Sequence, residues 1–220
     1  MTPGPGRLLI VTAVDLERDA IAGPLGAGEK VQLGPYEALV GPDATVLAAG
    51  VGPAAAAAAT ATALTLAPEA YALAVSAGIA GGFRGCAAVG DVVEATVIVA
   101  ADLGAESPDG FLSLAALGFG NGEVVAAPLG IPGAKRGPVL TVSTVTGSEK
   151  RARELAGRGG FAEAMEGFGV AEAAMRHGVP VGELRAISNE VGLRDPSGWD
   201  IGAALAGLRA AARELRGVLR

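Results

Sequence analysis

Residues 7–13 (RLLIVTA) form a continuous apolar run. A strand of that composition is buried on both faces, so it requires a sheet with helices on each side. The rest of the chain supplies the parts. A short helix starts over 15–22, and three short strands follow at 30–34, 36–40 and 44–49, set apart by Gly/Pro turns at 34–35 and 41–42. Gly50-Val-Gly-Pro53 turns into a helix over 54–66, and 71–76 makes a second buried strand that ends in a glycine-rich loop, 78–82. Strands are expected at 91–100, 139–143, 160–165 and 184–188, and helices at 149–156, 167–176 and 200–217. The stretch 102–137, rich in Gly, Pro and small residues, is the least regular. The late alternation of strand and helix predicts an α/β fold with a mostly parallel or mixed sheet. No internal repeat or linker composition interrupts the pattern, so 1–220 reads as a single domain.

A chain of 220 residues can bury one substantial core. The net charge is −6 and the 17 basic residues are scattered, which argues against a nucleic-acid partner. The single cysteine, Cys86, excludes an intramolecular disulfide and a cysteine-based metal site, and reads as a small apolar residue in or near the core. The single histidine, His177, stands before Gly178 at a helix end, where its charge favours the dipole. No metal and no cofactor is expected. The Ala-rich run 54–67 is about 14 residues long, against the roughly 20 that span a bilayer, and reads as a buried helix. Residues 1–6 carry no apolar signal core. No membrane partner is expected, and the location expected is the cytoplasm.

Five segments carry candidate chemistry. Gly50-Val-Gly-Pro-Ala-Ala55 matches G-x-G-x-x-A between a strand and a helix. A dinucleotide site would need an acidic residue about 20 positions on, at the end of the next strand, but Glu69 falls before that strand. The turn reads as close strand-to-helix packing, or as backbone N–H groups that face a ribose or an anion. Ser76-Ala-Gly-Ile-Ala-Gly-Gly-Phe83 is too rich in small residues for a simple turn and reads as a ligand-lining loop. Glu166, in Ala164-Met-Glu-Gly-Phe168, is a helix N-terminal charge or a hydroxyl-binding carboxylate. Asn189 stands at the carboxyl end of a strand, where open α/β sheets bind ligands; the other reading is a turn Asn. Its neighbours Glu190 and Asp195 read as solvated. Asp15, Glu17 and Asp19 follow the first strand, where a helix N-terminus favours all three. Trp199 shields a pocket or packs the last helix.

Taken in order and spacing, AVDLE at 13–17, GVGPAAAA at 50–57, SAGIAGG at 76–82, VSTVTGS at 142–148, AMEG at 164–167 and RAISNEVG at 185–192 resemble the nucleoside phosphorylase/nucleosidase superfamily. The likeness runs from Ile10 to about Leu215 and points to the methylthioadenosine/S-adenosylhomocysteine nucleosidases and the futalosine hydrolases. It implies a three-layer α/β/α fold around a twisted mixed central sheet, and a homo-oligomer. It implies that Glu17 activates water, that Glu166 binds ribose hydroxyls, and that Met165 packs against the sugar. Gly78, Ile79, Ala80, Gly81 and Val145 would line the pocket for base and sugar. Asn189 falls where the adenosine-type enzymes carry an Asp that protonates the purine N7.

The departure at 189 points to a base. A 6-oxopurine presents an acceptor at O6, and an Asn amide can donate to it while accepting from a protonated N7. A site built for that pattern rejects the 6-amino pattern. The segments VSTVTGS and SNEVGLRD, with Trp199, resemble the futalosine hydrolases most. That resemblance implies a small-molecule substrate, futalosine: an inosine-like nucleoside with a keto-linked benzoate at its 5′ end. The reaction implied is hydrolysis to free hypoxanthine, in menaquinone biosynthesis. The alternatives are another purine nucleosidase and a phosphorolytic enzyme. The latter needs arginines about a phosphate, and of Arg7, Arg18 and Arg84 only Arg84 is a candidate.

Overall fold

A computed structural model describes residues 6–68 and 70–218. Glu69, weighed above for a dinucleotide site, lies outside them, as does most of the segment read for a signal core. The elements in chain order are β1 (Arg7–Thr12), α1 (Asp15–Leu25), β2 (Glu29–Leu33), β3 (Tyr36–Val40), β4 (Ala44–Ala48), α2 (Pro53–Leu66), β5 (Tyr71–Gly82) and β6 (Val92–Ala100). They continue with β7 (Gly104–Ser107), β8 (Gly110–Ser113), β9 (Glu123–Val125), β10 (Lys135–Thr141), α3 (Glu149–Gly157), β11 (Ala162–Ala164), α4 (Gly167–Arg176), β12 (Val181–Glu190) and α5 (Ile201–Leu215).

The first apolar run does what its composition demands. Leu9 and Val11 of β1 face a core shared with Ala56, Ala59 and Ala63 of α2 and Val170 and Ala174 of α4. Leu8 and Ile10 point the other way, into a core closed by Ile21 and Leu25 of α1 and Leu208 and Leu215 of α5. Helices therefore cover both faces of a mixed sheet, ordered β11-β10-β6-β12-β5-β1-β4-β3-β2. β1 runs parallel to β4 and β5, and β12 parallel to β5, while β6 meets β12 antiparallel. β11 pairs with β10 on one side and with the end of β5 on the other, so β5, β12, β6, β10 and β11 close into a ring at one end of the sheet.

Three expectations change. Residues 78–82 are not a loop: β5 runs on to Gly82, paired with β12 throughout. The glycines serve packing there, since a Cβ on Gly82 would lie 2.2 Å from the Ala87 carbonyl. The irregular stretch contains a β7–β8 hairpin and the short β9, which pairs with β6. β10 begins at Lys135, inside that stretch, and the strand expected at 160–165 shrinks to Ala162–Ala164. No helix among the described residues is long and apolar enough to cross a membrane.

α4 crosses α2 closely because both helices present small residues. The contact is tightest at Gly169, where a Cβ would lie 2.0 Å from the Pro53 carbonyl oxygen. Gly169→Ala sets two effects against each other. Helix propensity favours Ala by about 0.5–1 kcal/mol, whereas forcing a methyl against a fixed backbone atom costs about 1–3 kcal/mol. Packing should win, and the thermal midpoint should fall by roughly 2–8 °C. An unchanged or raised midpoint would show that the crossing is loose.

Candidate active site

The carboxyl ends of β1, β5, β11 and β12 meet at a cavity of about 220 Å³. Glu17 enters it from the first turn of α1. Its side chain folds back onto the strand end: Ala13 N–H and Val14 N–H donate to Oε2 at 3.0 and 3.2 Å. Ile79 N–H donates to Oε1 at 2.8 Å, which ties β1 to β5. Glu17 is 4% exposed, and burial raises its pKa above the ordinary carboxylate value. The bonds from Ile79 and Val14 and the charge of Arg185 oppose that rise, and the charge of Glu166 adds to it.

Glu166 opens α4, yet its carboxylate does not cap its own helix. It reaches across to the turn before α2, where Gly52 N–H donates to Oε1 at 3.1 Å. That answers the question posed by Gly50-Val-Gly-Pro53: the anion its backbone faces is Glu166. Oε2 of Glu166 accepts from Arg185 at 3.4 Å.

Arg185 was not singled out from the sequence. It lies in the middle of β12, 1% exposed. Its Nε donates to Glu183 Oε1 at 2.8 Å and its Nη2 to Ser76 Oγ at 2.7 Å. Burial opposes its charge, but Glu183, Glu166 and Glu17 outweigh that and raise its pKa. Burial likewise pushes the Glu183 carboxyl up, against the pull of Arg185. Gly78 does not line the cavity. It makes room beneath it, since a Cβ there would lie 2.7 Å from both Glu17 Oε1 and Arg185 Nη1.

The other expected residues do meet on the wall: Ile79, Ala80, Gly81, Val145, Met165 and Asn189 line the same cavity as Glu17 and Glu166. Trp199 joins them and so stands at the pocket. The Asn189 amide has a defined orientation. Its Nδ2 donates to the Glu190 carbonyl at 3.1 Å, a group that can only accept, and its Oδ1 accepts from Ser188 Oγ at 2.8 Å. One N–H and one lone pair remain for a ligand.

A second carboxylate missed in the sequence is Glu163, on β11 and 5% exposed. It lines the cavity and accepts from Thr146 N–H at 2.8 Å and from the Thr146 hydroxyl at 2.5 Å. Burial raises its pKa despite both bonds. Three residues stand apart. Arg84 is exposed and paired with Glu190 through Nε at 2.9 Å. His177 ends α4 with Nδ1 2.8 Å from the Ala173 carbonyl. Cys86 packs, half-buried, against Phe83 and its neighbours.

The phosphorylase superfamily model matches residues 7–220. The chain is 53% identical to the futalosine hydrolase of Streptomyces coelicolor, covering 96% of each protein. It is 47% identical to that of Acidothermus cellulolyticus, covering 90% of this chain and 85% of the relative. Its fold matches a methylthioadenosine/S-adenosylhomocysteine nucleosidase from Colwellia psychrerythraea, solved with adenine, at a TM-score of 0.78, 20% identity and coverage of 98% and 96%. The chain belongs to the phosphorylase superfamily and, within it, to the futalosine hydrolases.

Proposed function

We propose that this protein hydrolyses the N-glycosidic bond of futalosine, releases hypoxanthine, and serves menaquinone biosynthesis in the cytoplasm. The observation that carries this reading is a pair of buried carboxylates, Glu17 and Glu166, on one cavity wall with Asn189. The identities to two futalosine hydrolases support the substrate. The family match over 7–220 supports one domain. Val14 and Val51, exposed on the cavity wall, and Leu16, exposed beside Val14, support a homo-oligomer that covers them.

The chemistry follows from the geometry. The C1′–N9 bond breaks through an oxocarbenium-like state, and its electron pair passes to the purine. N7 of the purine has taken a proton from solvent, and Asn189 accepts from that N7–H while donating to O6. Asn189 cannot itself supply the proton. Glu17 accepts a proton from the water whose oxygen bonds to C1′. Glu166 accepts from the ribose 2′- and 3′-hydroxyls with lone pairs left free by Gly52 and Arg185. Its negative charge favours the cationic sugar. Met165 packs against that sugar.

Hydrolysis is preferred to phosphorolysis on electrostatic grounds. Among the described residues that line the cavity there is no Lys, Arg or His, while Glu17, Glu163 and Glu166 all do. The one guanidinium beneath them, Arg185, is already shared among Glu183, Glu166 and Ser76. A phosphate attacking C1′ would enter against Glu17 and Glu166 without a free cation. Turnover should therefore proceed equally well without phosphate; ribose 1-phosphate among the products, or a strict need for phosphate, would overturn the reading.

Glu17→Gln and Glu166→Gln should each lower kcat by roughly 10²–10⁴ with the fold intact. Near wild-type turnover in either would remove that residue from the mechanism. Glu17 must be ionised to accept a proton, and its pKa is raised. The acid limb of kcat/KM should therefore lie above the ordinary carboxylate value of 4.5. A limb at or below that value would separate Glu17 from the proton transfer.

Asn189→Asp tests the base. An ionised Asp would oppose both O6 and the Glu190 carbonyl, leaving acceptors face to face. A buried acceptor without a partner costs about 1–3 kcal/mol, or roughly ten- to a hundredfold in rate. The ratio of kcat/KM for futalosine to that for its 6-amino counterpart should fall at least about tenfold. An unchanged ratio would mean that Asn189 does not read the base.

A further inference from the structure

Glu163 lies on the cavity wall but takes no part in breaking the bond. Its place in the sheet indicates another use. β11 sets Glu163 opposite Gly81 of β5, and β12 sets Asn189 opposite the same Gly81 from the other side. Asn189, Gly81 and Glu163 thus occupy one line across three adjacent strands, and all three line the cavity. With strands about 4.8 Å apart, the two outer backbones stand roughly 10 Å from each other. The residue between them has no side chain. A Cβ on Gly81 would lie 2.8 Å from Val191 Cγ2 and 3.2 Å from Asn189 Nδ2, so glycine keeps the gap open and the amide free.

The hydrogen-bonding edge of a purine fits a slot of this kind. A 6-oxopurine protonated at N7 presents a donor at N7, an acceptor at O6 and a donor at N1. Asn189 answers the first two with Oδ1 and Nδ2. The third needs an acceptor. Thr146 holds both oxygens of the Glu163 carboxylate, and its backbone N–H, which can only donate, fixes Oε1 as an acceptor. Each carboxylate oxygen keeps a further lone pair. A 6-aminopurine has a lone pair at N1 instead, which would oppose the carboxylate. We propose that Glu163 is a specificity residue whose carboxylate accepts the N1–H of the leaving 6-oxopurine, with Thr146 as its positioning partner. This rests on the hydrolase reading above and deepens it.

The test compares kcat/KM for futalosine and its 6-amino counterpart in wild type and Glu163→Gln. The Gln amide can turn its N–H toward the N1 lone pair of the 6-amino base. The ratio should move toward that compound by at least about tenfold. An equal loss on both substrates, or an unchanged ratio, would assign Glu163 only to holding the loop that carries Thr146 and would overturn the proposal. A second measurement uses the wild-type enzyme alone, so it does not depend on the variant folding. The N1 proton of bound ¹⁵N-labelled hypoxanthine should move downfield of its position in free hypoxanthine. An unshifted proton would equally overturn the assignment. Should the wild type cleave neither nucleoside, the activity itself is wrong, and the proton shift, now compared between wild type and Glu163→Gln, still decides whether Glu163 contacts N1.

Discussion

The site is organised around one buried cation. Arg185 is almost completely enclosed, and burying a guanidinium is costly unless charged partners surround it. Glu183 takes its Nε, Ser76 its Nη2 and Glu166 its Nη1, from β12, β5 and the start of α4. Glu17 lies within its field. β12, the helix before it and the much earlier β5 thus meet on one planar group. Removing the cation would leave Glu183 and Glu166 buried without a counter-charge. The arrangement also tunes chemistry: burial pushes Glu17 toward its neutral form, while Arg185 and two backbone N–H groups pull it back. A general base requires that balance, since a fully solvated carboxylate is a weak base and a fully desolvated one stays protonated.

Glycine makes this density of charge possible. Gly78 leaves the volume in which Glu17 Oε1 and Arg185 Nη1 approach β5. Gly167 does the same for Glu183, since a Cβ there would lie 2.4 Å from both carboxylate oxygens. Gly81 opens the slot between Asn189 and Glu163. The glycines of β5 are therefore not flexible punctuation. They are positions at which neighbours occupy the space of a side chain, inside a strand that stays paired with β12 from Ala74 to Gly82.

That distinction limits what the sequence could reveal. The covering of both faces of β1 and the boundaries of α4 follow from apolar runs and the glycines that stop them. The approach of Glu17, Glu166 and Asn189 to one cavity comes instead from the superfamily resemblance, since the residues alone do not show which of Asp15, Glu17 and Asp19 faces a cleft. The strand character of 78–82 does not, because glycine signals a turn by local propensity and a close contact only through partners elsewhere in the chain. Arg185 and Glu163 were hidden for a related reason. Each is a charge inside a short apolar strand, and the sequence cannot show whether such a charge faces solvent or a buried partner. One signal was available. Glu183 and Arg185 are two apart in an otherwise apolar segment, so they share a face, and two opposite charges on one buried face imply an ion pair.

On the proposed reading, the same geometry accounts for how one scaffold selects both its nucleophile and its base. The nucleophile end of the cavity is lined by carboxylates around an arginine whose donors are already engaged, so it accommodates neutral water better than an anion. At the base end, selectivity depends on orientation. Asn189 could in principle turn its amide over and read the opposite pattern. The Glu190 carbonyl prevents this, because turning the amide would set Oδ1 against another oxygen. Ser188 bonds to Oδ1 from within the sheet, but its hydroxyl can donate or accept, so the orientation rests on the Glu190 carbonyl. The bulge between Ile187 and Asn189 marks where β12 slips its register against β5. Beyond it Asn189 stands level with Gly81, where the amide can reach into the cavity while its neighbours stay in the ladder. On the proposed reading, the part of base selectivity that Asn189 supplies is thus set by the Glu190 carbonyl of β12 before any ligand binds, which is the preorganisation that lets a small polar site discriminate strongly.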